Sequence, residues 1–155
     1  MTDLPFRKGV GIIILNQHNK IFVGKRRDYP TNKWQMPQGG IDEGENEDDA
    51  LIRELHEETG IQKDFEICKK LDKQYSYLLP KELLGKIWGG KYKGQIQTWF
   101  ILRYSGNDNQ INLDLKNGEF VEWKWVEVEE LVKTIVDFKK NLYAQLSKEI
   151  IQFIN

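Results

Sequence analysis

The sequence predicts an α/β fold in which a mixed β-sheet packs between helices. Three observations support this prediction. Apolar runs of strand length alternate with helical patterns, 39 % of the residues are hydrophobic, and no repeat, low-complexity stretch or linker interrupts the order. With 155 residues, including five Trp, six Tyr and seven Phe, the chain is long enough for one domain with a sizeable core. We therefore expect a single domain over residues 1–155.

The first part of the chain predicts a hairpin and a short extended piece. Residues 10–15 form a continuous apolar run, residues 16–20 have turn composition, and residues 21–23 begin a second strand. Residues 34–36 have extended character, and Pro37 stops them.

The last part of the chain predicts three further strands and two helices. The strand patterns cover residues 65–77, 96–104 and 120–126, and a glycine-rich loop at residues 89–94 precedes the middle one. The helical patterns cover residues 129–136 and 138–154. In the second helix, apolar residues repeat every four positions from Phe138 to Ile154.

A helix with clear boundaries lies between these parts. Asn46 is a good N-cap, and the acidic residues after it suit the positive end of a helix dipole. Gly60 suits the position after the last turn. The sequence therefore predicts a helix of about three turns from Glu47 to Thr59.

Three carboxylates share one face of this helix. Glu54, Glu57 and Glu58 stand at spacings of three and four, near the helix end where negative charge is unfavourable. Clustered oxygens without Cys or His suit a hard cation such as Mg²⁺, and Arg53 is placed to orient Glu57. The alternative interpretation is a solvated acidic face, the usual fate of such a run.

The residues around these acids complete a longer pattern. Residues 39–61 read G-x5-E-x7-R-E-(aliphatic)-x-E-E-x-G-(aliphatic), with no position missing. This pattern resembles the Nudix box, found in enzymes that hydrolyse nucleoside diphosphates linked to a further group. The resemblance implies an α/β/α sandwich around a curved mixed β-sheet. It makes the solvated face the weaker interpretation.

The resemblance to Nudix hydrolases extends beyond the box. It includes residues 34–40, 77–80, 94–100 and 119–123, which are similar to one branch of the family. That branch contains RNA pyrophosphohydrolases and diadenosine tetraphosphate hydrolases, and the tail at residues 136–143 is similar to that of the RNA enzymes.

This resemblance implies metal-binding and catalytic roles. The implied metal ligands are Glu54, Glu57, Glu58, Glu119 and the backbone carbonyl of Gly39, holding Mg²⁺ with Mn²⁺ as a substitute. Glu57 is the first choice for removing a proton from the attacking water, and Glu119 is the second. Arg53 completes the expected catalytic group.

It also implies substrate-binding roles, with simpler alternatives for some residues. The expected substrate-binding residues are Arg7, Arg27, Gln38, Tyr77, Phe138 and Lys139. Phe138 would stack on a base, but it also fits the apolar stripe of a helix. Arg27 belongs to a Lys-Arg-Arg run, in which a solvated charge is the commoner outcome.

Charge and cysteine content narrow the class of protein. Residues 41–66 carry eleven acidic and two basic side chains and are flanked by basic stretches, which suits a polyphosphate substrate better than general nucleic-acid binding. The sequence gives no reason to expect a membrane span, a secretory signal or an obligate protein partner. Cys68 is the only cysteine, which fits a reducing cytoplasm.

The predicted function is conversion of 5′-tri- or diphosphorylated RNA to 5′-monophosphorylated RNA, a step that the resemblance places at the start of messenger RNA decay. Asymmetric cleavage of dinucleoside polyphosphates is the alternative activity. A noncatalytic RNA- or nucleotide-binding module is the alternative of another class. The complete set of Arg53, Glu54, Glu57 and Glu58 argues against it, because a binding module need not keep those acids.

Overall fold

The structure, a computed structural model, describes residues 3–29, 32–115 and 118–155. Within these ranges the chain forms a seven-stranded sheet and three α-helices. The strands are β1 (Phe6–Leu15), β2 (Ile21–Arg26), β3 (Gln38–Gly40), β4 (Phe65–Lys70), β5 (Tyr75–Leu78), β6 (Gly94–Tyr104) and β7 (Phe120–Val126). The helices are α1 (Glu47–Thr59), α2 (Glu130–Thr134) and α3 (Lys140–Ile154).

Strand β1 lies at the centre of a mixed sheet. The main strand order is β4-β6-β1-β2-β7, with β3 pairing to β1 and β5 pairing to β6. β1 runs parallel to β6, from Phe6 opposite Gly94 to Leu15 opposite Arg103. The other pairings are antiparallel. The predicted mixed sheet is confirmed.

Successive side chains of β1 enter two hydrophobic cores on opposite faces of the sheet. Val10 and Ile12 pack in one core, and Ile13 and Leu15 pack in the other. The first core contains Ala50, Leu51 and Leu55 of α1. The second contains Leu131 of α2 and Leu142, Tyr143, Leu146 and Ile150 of α3. Helices therefore cover both faces of the sheet, and the predicted α/β/α sandwich is confirmed.

Local sequence signals gave the central helix its observed bounds. The Asn46 side chain accepts a hydrogen bond of 2.8 Å from the Asp49 backbone, and the α1 helix spans the predicted residues. Gly60 ends the helix with φ +78°, in the left-handed region that favours glycine. The predicted strand at residues 120–126 and the predicted hairpin of β1 and β2 are also confirmed.

The single strand predicted for residues 65–77 is wrong. Two strands, β4 and β5, pair with the same neighbour, β6. Lys70 lies opposite Phe100 and Tyr75 lies opposite Gln97, so four residues face only two positions of β6. Because a regular ladder cannot hold the two extra residues, the strand breaks there.

Two other predicted elements shift along the chain. The extended piece at residues 34–36 forms only an isolated bridge between Gln35 and Gly24, and the regular strand β3 begins after Pro37. The helix predicted from residue 138 begins at Lys140, because Phe138 lies in a preceding 3₁₀ turn. The helix predicted for residues 129–136 is shorter in the structure, where α2 spans Glu130–Thr134.

Two further features concern Cys68 and the helices. Cys68 lies exposed on β4. Among the residues described by the structure, no helix combines the length and the apolar character needed to cross a membrane.

Candidate active site

A cleft of about 450 Å³ lies beside the C-terminal half of α1. It brings together acidic, basic and aromatic side chains from distant parts of the sequence. Its charged lining consists of Glu54, Glu57, Glu58, Glu119, Asp28, Arg7, Arg26 and Lys139. Its other lining residues are Gln38, Gly39, Gly40, Tyr29, Tyr77, Phe138, Leu79, Leu83, Ile87 and Trp88.

The acids of α1 differ in their exposure. Glu54 and Glu58 are 7 % and 3 % exposed, whereas the Glu57 side chain is 23 % exposed. The Oε2 atom of Glu58 is buried and has no hydrogen-bond partner among the described residues. A buried carboxylate oxygen without a partner is costly, which is the expected state of a ligand atom reserved for a cation.

Burial changes the proton affinity of two of these acids. Burial and the nearby charges of Glu57 and Glu119 raise the pKa of Glu54 to about 7, against the hydrogen bond from Arg53. Burial and the charges of Glu119 and Glu54 raise the pKa of Glu58 to about 8. A cation in the cleft would oppose both shifts, because it favours the ionised carboxylates.

Arg53 ties the acidic helix to the preceding loop. Its guanidinium donates two hydrogen bonds of 2.9 Å to Glu45, and these hold the pKa of Glu45 at about 2. It also donates to the carbonyl of Gly40 at 2.8 Å, to Glu54 at 2.8 Å and to Glu57 at 3.2 Å. The contact expected between Arg53 and Glu57 is therefore present, within a larger network than the sequence suggested.

Gly39 approaches the acids more closely than any other residue type could. A Cβ atom built on Gly39 would overlap the carboxylate of Glu54. The glycine therefore lets the backbone of β3 lie directly against that carboxylate. The role of the Gly39 carbonyl as a metal ligand stays a prediction.

Glu119 reaches the cleft from the other side and is held there by Arg26. Arg26 Nη1 lies 2.6 Å from Glu119 Oε2, and Arg26 also forms two hydrogen bonds of 2.8 Å with Asp28. Arg27, the expected phosphate-binding residue, is exposed and does not line the cleft. Within the described ranges, Arg27 contributes a backbone N–H that donates to the Glu119 carbonyl at 3.2 Å.

Arg26 is the last residue of β2 and lines the cleft, whereas Arg27 lies in the turn that follows. The pairing of β2 with β7 contains an irregularity between Lys25 and Arg26. Sequence reasoning missed Arg26 because the Lys-Arg-Arg run does not show which side chain faces inward. Alternation along a strand places neighbouring side chains on opposite sides, but which side faces the cleft depends on how the strand packs in the folded sheet.

In this conformation, arginines engage several of the expected ligands. Glu54 and Glu57 accept from Arg53, and Glu119 accepts from Arg26. No group of three or more Asp, Glu, His or Cys side chains in the described ranges has the spacing of a preformed metal centre. The donor set is still the oxygen-rich one that suits a hard cation, and binding would exchange arginine contacts for metal contacts.

A basic side chain and two polar ones line the neighbouring part of the cleft. The Arg7 guanidinium lies 5.0 Å from the centre of the Trp88 ring and against Gly40, where a Cβ atom would overlap it. Gln38 Nε2 donates to the Tyr77 hydroxyl at 3.2 Å. Sequence reasoning missed Trp88, although it directly precedes the glycine-rich loop.

Phe138 and Lys139 both line the cleft, but they differ in burial. The Phe138 ring is half-buried and lies 5.8 Å from the Tyr77 ring, in front of α3 rather than in its apolar stripe. Lys139 is only 3 % exposed, and its ammonium donates to Gln35 at 3.3 Å. Burial, and then the charge of Arg26, lower the pKa of Lys139 to about 7. Lys139 therefore lines the cleft with little exposure, and its ammonium lies 5.0 Å from the centre of the Tyr77 ring and 5.7 Å from that of Phe138.

The chain is similar to a group of bacterial enzymes over almost its whole length. It is 50 % identical to an RNA pyrophosphohydrolase of Pelagibacter ubique, covering 99 % of this chain and 97 % of that protein. It is 46 % identical to an RNA pyrophosphohydrolase of Rickettsia conorii, covering 95 % of this chain and 91 % of that protein.

Solved structures show the same fold at lower identity. The MutT protein of Methanosarcina mazei superposes with a TM-score of 0.70 at 21 % identity, covering 96 % of this chain and 98 % of that chain. The dihydroneopterin triphosphate pyrophosphohydrolase of E. coli superposes with a TM-score of 0.69 at 20 % identity, covering 94 % and 99 %. The family model for the NUDIX domain matches residues 5–146. The chain therefore belongs to the Nudix family, whose hydrolases generally use divalent metals.

Proposed function

We propose that residues 1–155 form one Nudix domain that hydrolyses a phosphoanhydride at the 5′ end of RNA. The products are 5′-monophosphorylated RNA and pyrophosphate or orthophosphate. The observation that carries the proposal is the cleft, which brings acids that can hold a cation together with arginines and four aromatic side chains. The similarity to RNA pyrophosphohydrolases over nearly the whole chain supports RNA as the substrate.

The proposed cofactor is Mg²⁺, with Mn²⁺ as a substitute. Glu54, Glu57, Glu58 and Glu119 would hold it together with the carbonyl of Gly39. Two observations support the fit of these residues to Mg²⁺. Glu58 has a buried oxygen without a partner, and all the proposed ligand atoms are oxygens. Bound there, the cation would neutralise phosphate charge and make a bound water more acidic.

Glu57 is the proposed acceptor of the proton from the attacking water. It is the most exposed of the three α1 acids and lines the cleft, so it can reach a water beside a bound phosphate. Glu119 is the second candidate. Arg53 is proposed to position Glu54 and Glu57, because it contacts both carboxylates and is itself tied to Glu45.

The proposed phosphate-binding groups are Arg7 and Arg26, which replaces Arg27 in this role. Both guanidinium groups line the cleft with the acids, so they can neutralise phosphate oxygens next to the reacting bond. Gln38 and Tyr77 would contribute hydrogen bonds along the same path. Phe138 would stack on a base of the RNA, and Lys139 would support the ring from below.

A competition assay tests the proposal. Triphosphorylated RNA and diadenosine tetraphosphate are supplied at equal concentration with Mg²⁺, and both products are followed over time. We expect faster release of pyrophosphate or orthophosphate from the RNA. Preferred cleavage of the dinucleotide would favour the alternative activity, and no metal-dependent release from either substrate would favour the noncatalytic module. The cytoplasmic location remains a prediction.

A further inference from the structure

The glycine-rich loop singled out in the sequence has no part in the proposed chemistry. It belongs to a longer segment, residues 80–93, that connects β5 to β6 and is called the basic loop below. The Leu79 backbone donates to the Lys93 carbonyl at 2.9 Å, so the ends of the loop are close together. Compact surface loops with close ends frequently have a binding function.

The inner side of the basic loop forms part of the cleft. Leu83, Ile87 and Trp88 line it, and the Trp88 ring packs on Arg7. Trp88 has φ +52°, in the left-handed region that a bulky side chain rarely adopts. Internal turns hold this conformation, including a hydrogen bond of 3.0 Å from the Gly90 backbone to the Ile87 carbonyl. Unfavourable backbone conformations of this kind concentrate at binding and catalytic sites.

The outer side of the basic loop is strongly cationic. It carries four lysines and one acidic residue, Glu82, and all five side chains are exposed. Among the described residues, none of the four lysines forms an ion pair; they are Lys81, Lys86, Lys91 and Lys93. Some exposed lysines elsewhere, such as Lys70 and Lys140, have acidic partners, whereas others, such as Lys63 and Lys148, form no ion pair among the described residues, so it is the density of lysines that distinguishes the loop.

Aromatic rings lie among these lysines. Trp88 and Tyr92 meet edge to face with ring centres 6.3 Å apart, and Lys93 lies 4.7 Å from the centre of the Phe6 ring. Lysines that follow a phosphate backbone, combined with rings on which bases stack, are the usual elements of a single-stranded nucleic-acid surface. A free nucleotide held by its phosphates in the cleft would leave the outer lysines unused.

We propose that the basic loop binds the RNA strand beyond the nucleotides whose 5′ phosphates enter the cleft. This inference rests on the proposed function. Trp88 connects the two regions, since one residue both lines the cleft and belongs to the loop. The loop then makes the protein bind long RNA more tightly than mononucleotides and dinucleotides. Its contacts are with the phosphate backbone, so they do not depend on the base sequence.

The test measures binding without catalysis. A labelled 5′-hydroxyl RNA of about 12 nucleotides, within the usual range of single-strand site sizes, is titrated by fluorescence anisotropy at several salt concentrations. The variant is Lys86→Glu/Lys91→Glu. The control is Lys63→Glu/Lys148→Glu, which makes the same charge change at exposed lysines outside the cleft lining. Thermal melts confirm that both variants fold.

We expect the loop variant to bind several-fold more weakly than the wild type. Its plot of log Kd against log salt should be less steep by about 1.4, the value for two lost single-strand phosphate contacts. The control should stay close to the wild type. Equal binding by the loop variant and the control would overturn the inference.

A kinetic comparison separates this inference from the proposed function. KM for triphosphorylated RNA should rise more in the loop variant for a long strand than for a dinucleotide. If the wild type releases no pyrophosphate or orthophosphate from either RNA, the proposed function fails, while the binding experiment still decides on the loop. If hydrolysis is normal and KM rises equally for both lengths, the inference alone fails.

Discussion

The cleft has two walls of different construction. The acidic wall consists of Glu54, Glu57 and Glu58 on the single helix α1, with Arg53 beside them making five hydrogen bonds. The aromatic wall consists of Tyr77, Phe138 and Trp88, from a strand, a 3₁₀ turn and a loop. Hydrogen bonds from Arg53 hold Glu54 and Glu57 of the first wall, whereas packing between rings contributes more to the second.

This difference suits the two tasks proposed for the walls. Charge neutralisation at a reacting bond needs atoms held in fixed positions, because a small displacement costs much of the rate. Base stacking tolerates different bases and small adjustments. We therefore expect substitutions in the acidic wall to abolish turnover, and substitutions in the aromatic wall to weaken binding gradually.

The largest effect is expected for Glu57→Gln. Amide and carboxylate are nearly the same size, so the fold should survive while the proposed proton acceptor and metal ligand is lost. We expect kcat at saturating Mg²⁺ to fall by about 10²–10⁴-fold or more. Glu43→Gln, at an exposed residue outside the cleft, is the matched control. If the Glu57 variant keeps more than about a tenth of the wild-type kcat, Glu57 is not the general base.

A smaller effect is expected for Phe138→Ala. Loss of base stacking should raise KM for triphosphorylated RNA by about five- to a hundredfold, with less change for a nucleoside triphosphate. Phe153→Ala removes a partly buried ring of the same core outside the cleft and controls for destabilisation. Equal losses on both substrates, accompanied by a lower Tm, would assign Phe138 to the core instead.

The adjacent arginines give a comparison within one run of sequence. Arg26→Ala removes the partner of Glu119 and a group that lines the cleft, so KM for RNA should rise by about tenfold, the equivalent of one charged hydrogen bond. Arg27→Ala removes an exposed side chain and should have little effect. Steady-state kinetics on both variants show which of the two arginine side chains acts in the cleft. A larger defect in the Arg27 variant would restore the original prediction.

The smallest effect is expected in the pH dependence of stability without divalent metals. The pKa values of Glu54 and Glu58 are raised to about 7 and 8, so the folded protein holds protons that the unfolded chain releases near the ordinary value of 4.5. Stability from these groups is therefore present below pH 4.5 and is lost as the pH rises towards 8.

Thermal melts in a chelator at pH 5 and pH 8 measure this effect. Glu58→Gln should reduce the difference in Tm between the two pH values. Added Mg²⁺ should raise Tm mainly at the higher pH, because it binds the ionised carboxylates of the folded state. A wild-type Tm that responds neither to pH nor to Mg²⁺ would contradict the role of these acids as a metal site.

The two walls also differ in how well the sequence predicts them. The bounds of α1 and the shared face of its acids follow from an N-cap, a terminal glycine and helical spacing, which are local properties. The inward position of Arg26 depends on how β2 packs in the folded sheet, and the break between β4 and β5 depends on the register along β6. Such features depend on partners far away in the sequence, so a local pattern does not contain them.

Lys139 and Trp88 show the same limit on the aromatic wall. The sequence places a lysine beside Phe138, but it does not show that Tyr29 and Tyr77 from other segments also lie against this lysine. In the sequence, nothing distinguishes Trp88 from other loop residues. Its contact with the Arg7 guanidinium is seen only in the folded structure.

The exposed position of Cys68 on β4 has a practical consequence. As the only cysteine, and one that does not line the cleft, it allows a fluorophore to be attached at a single place without mutagenesis. Burial and the neighbouring Glu66 raise the pKa of this thiol, so coupling should proceed faster under mildly alkaline conditions than at neutral pH. The native chain thereby provides its own reporter for following RNA binding in solution.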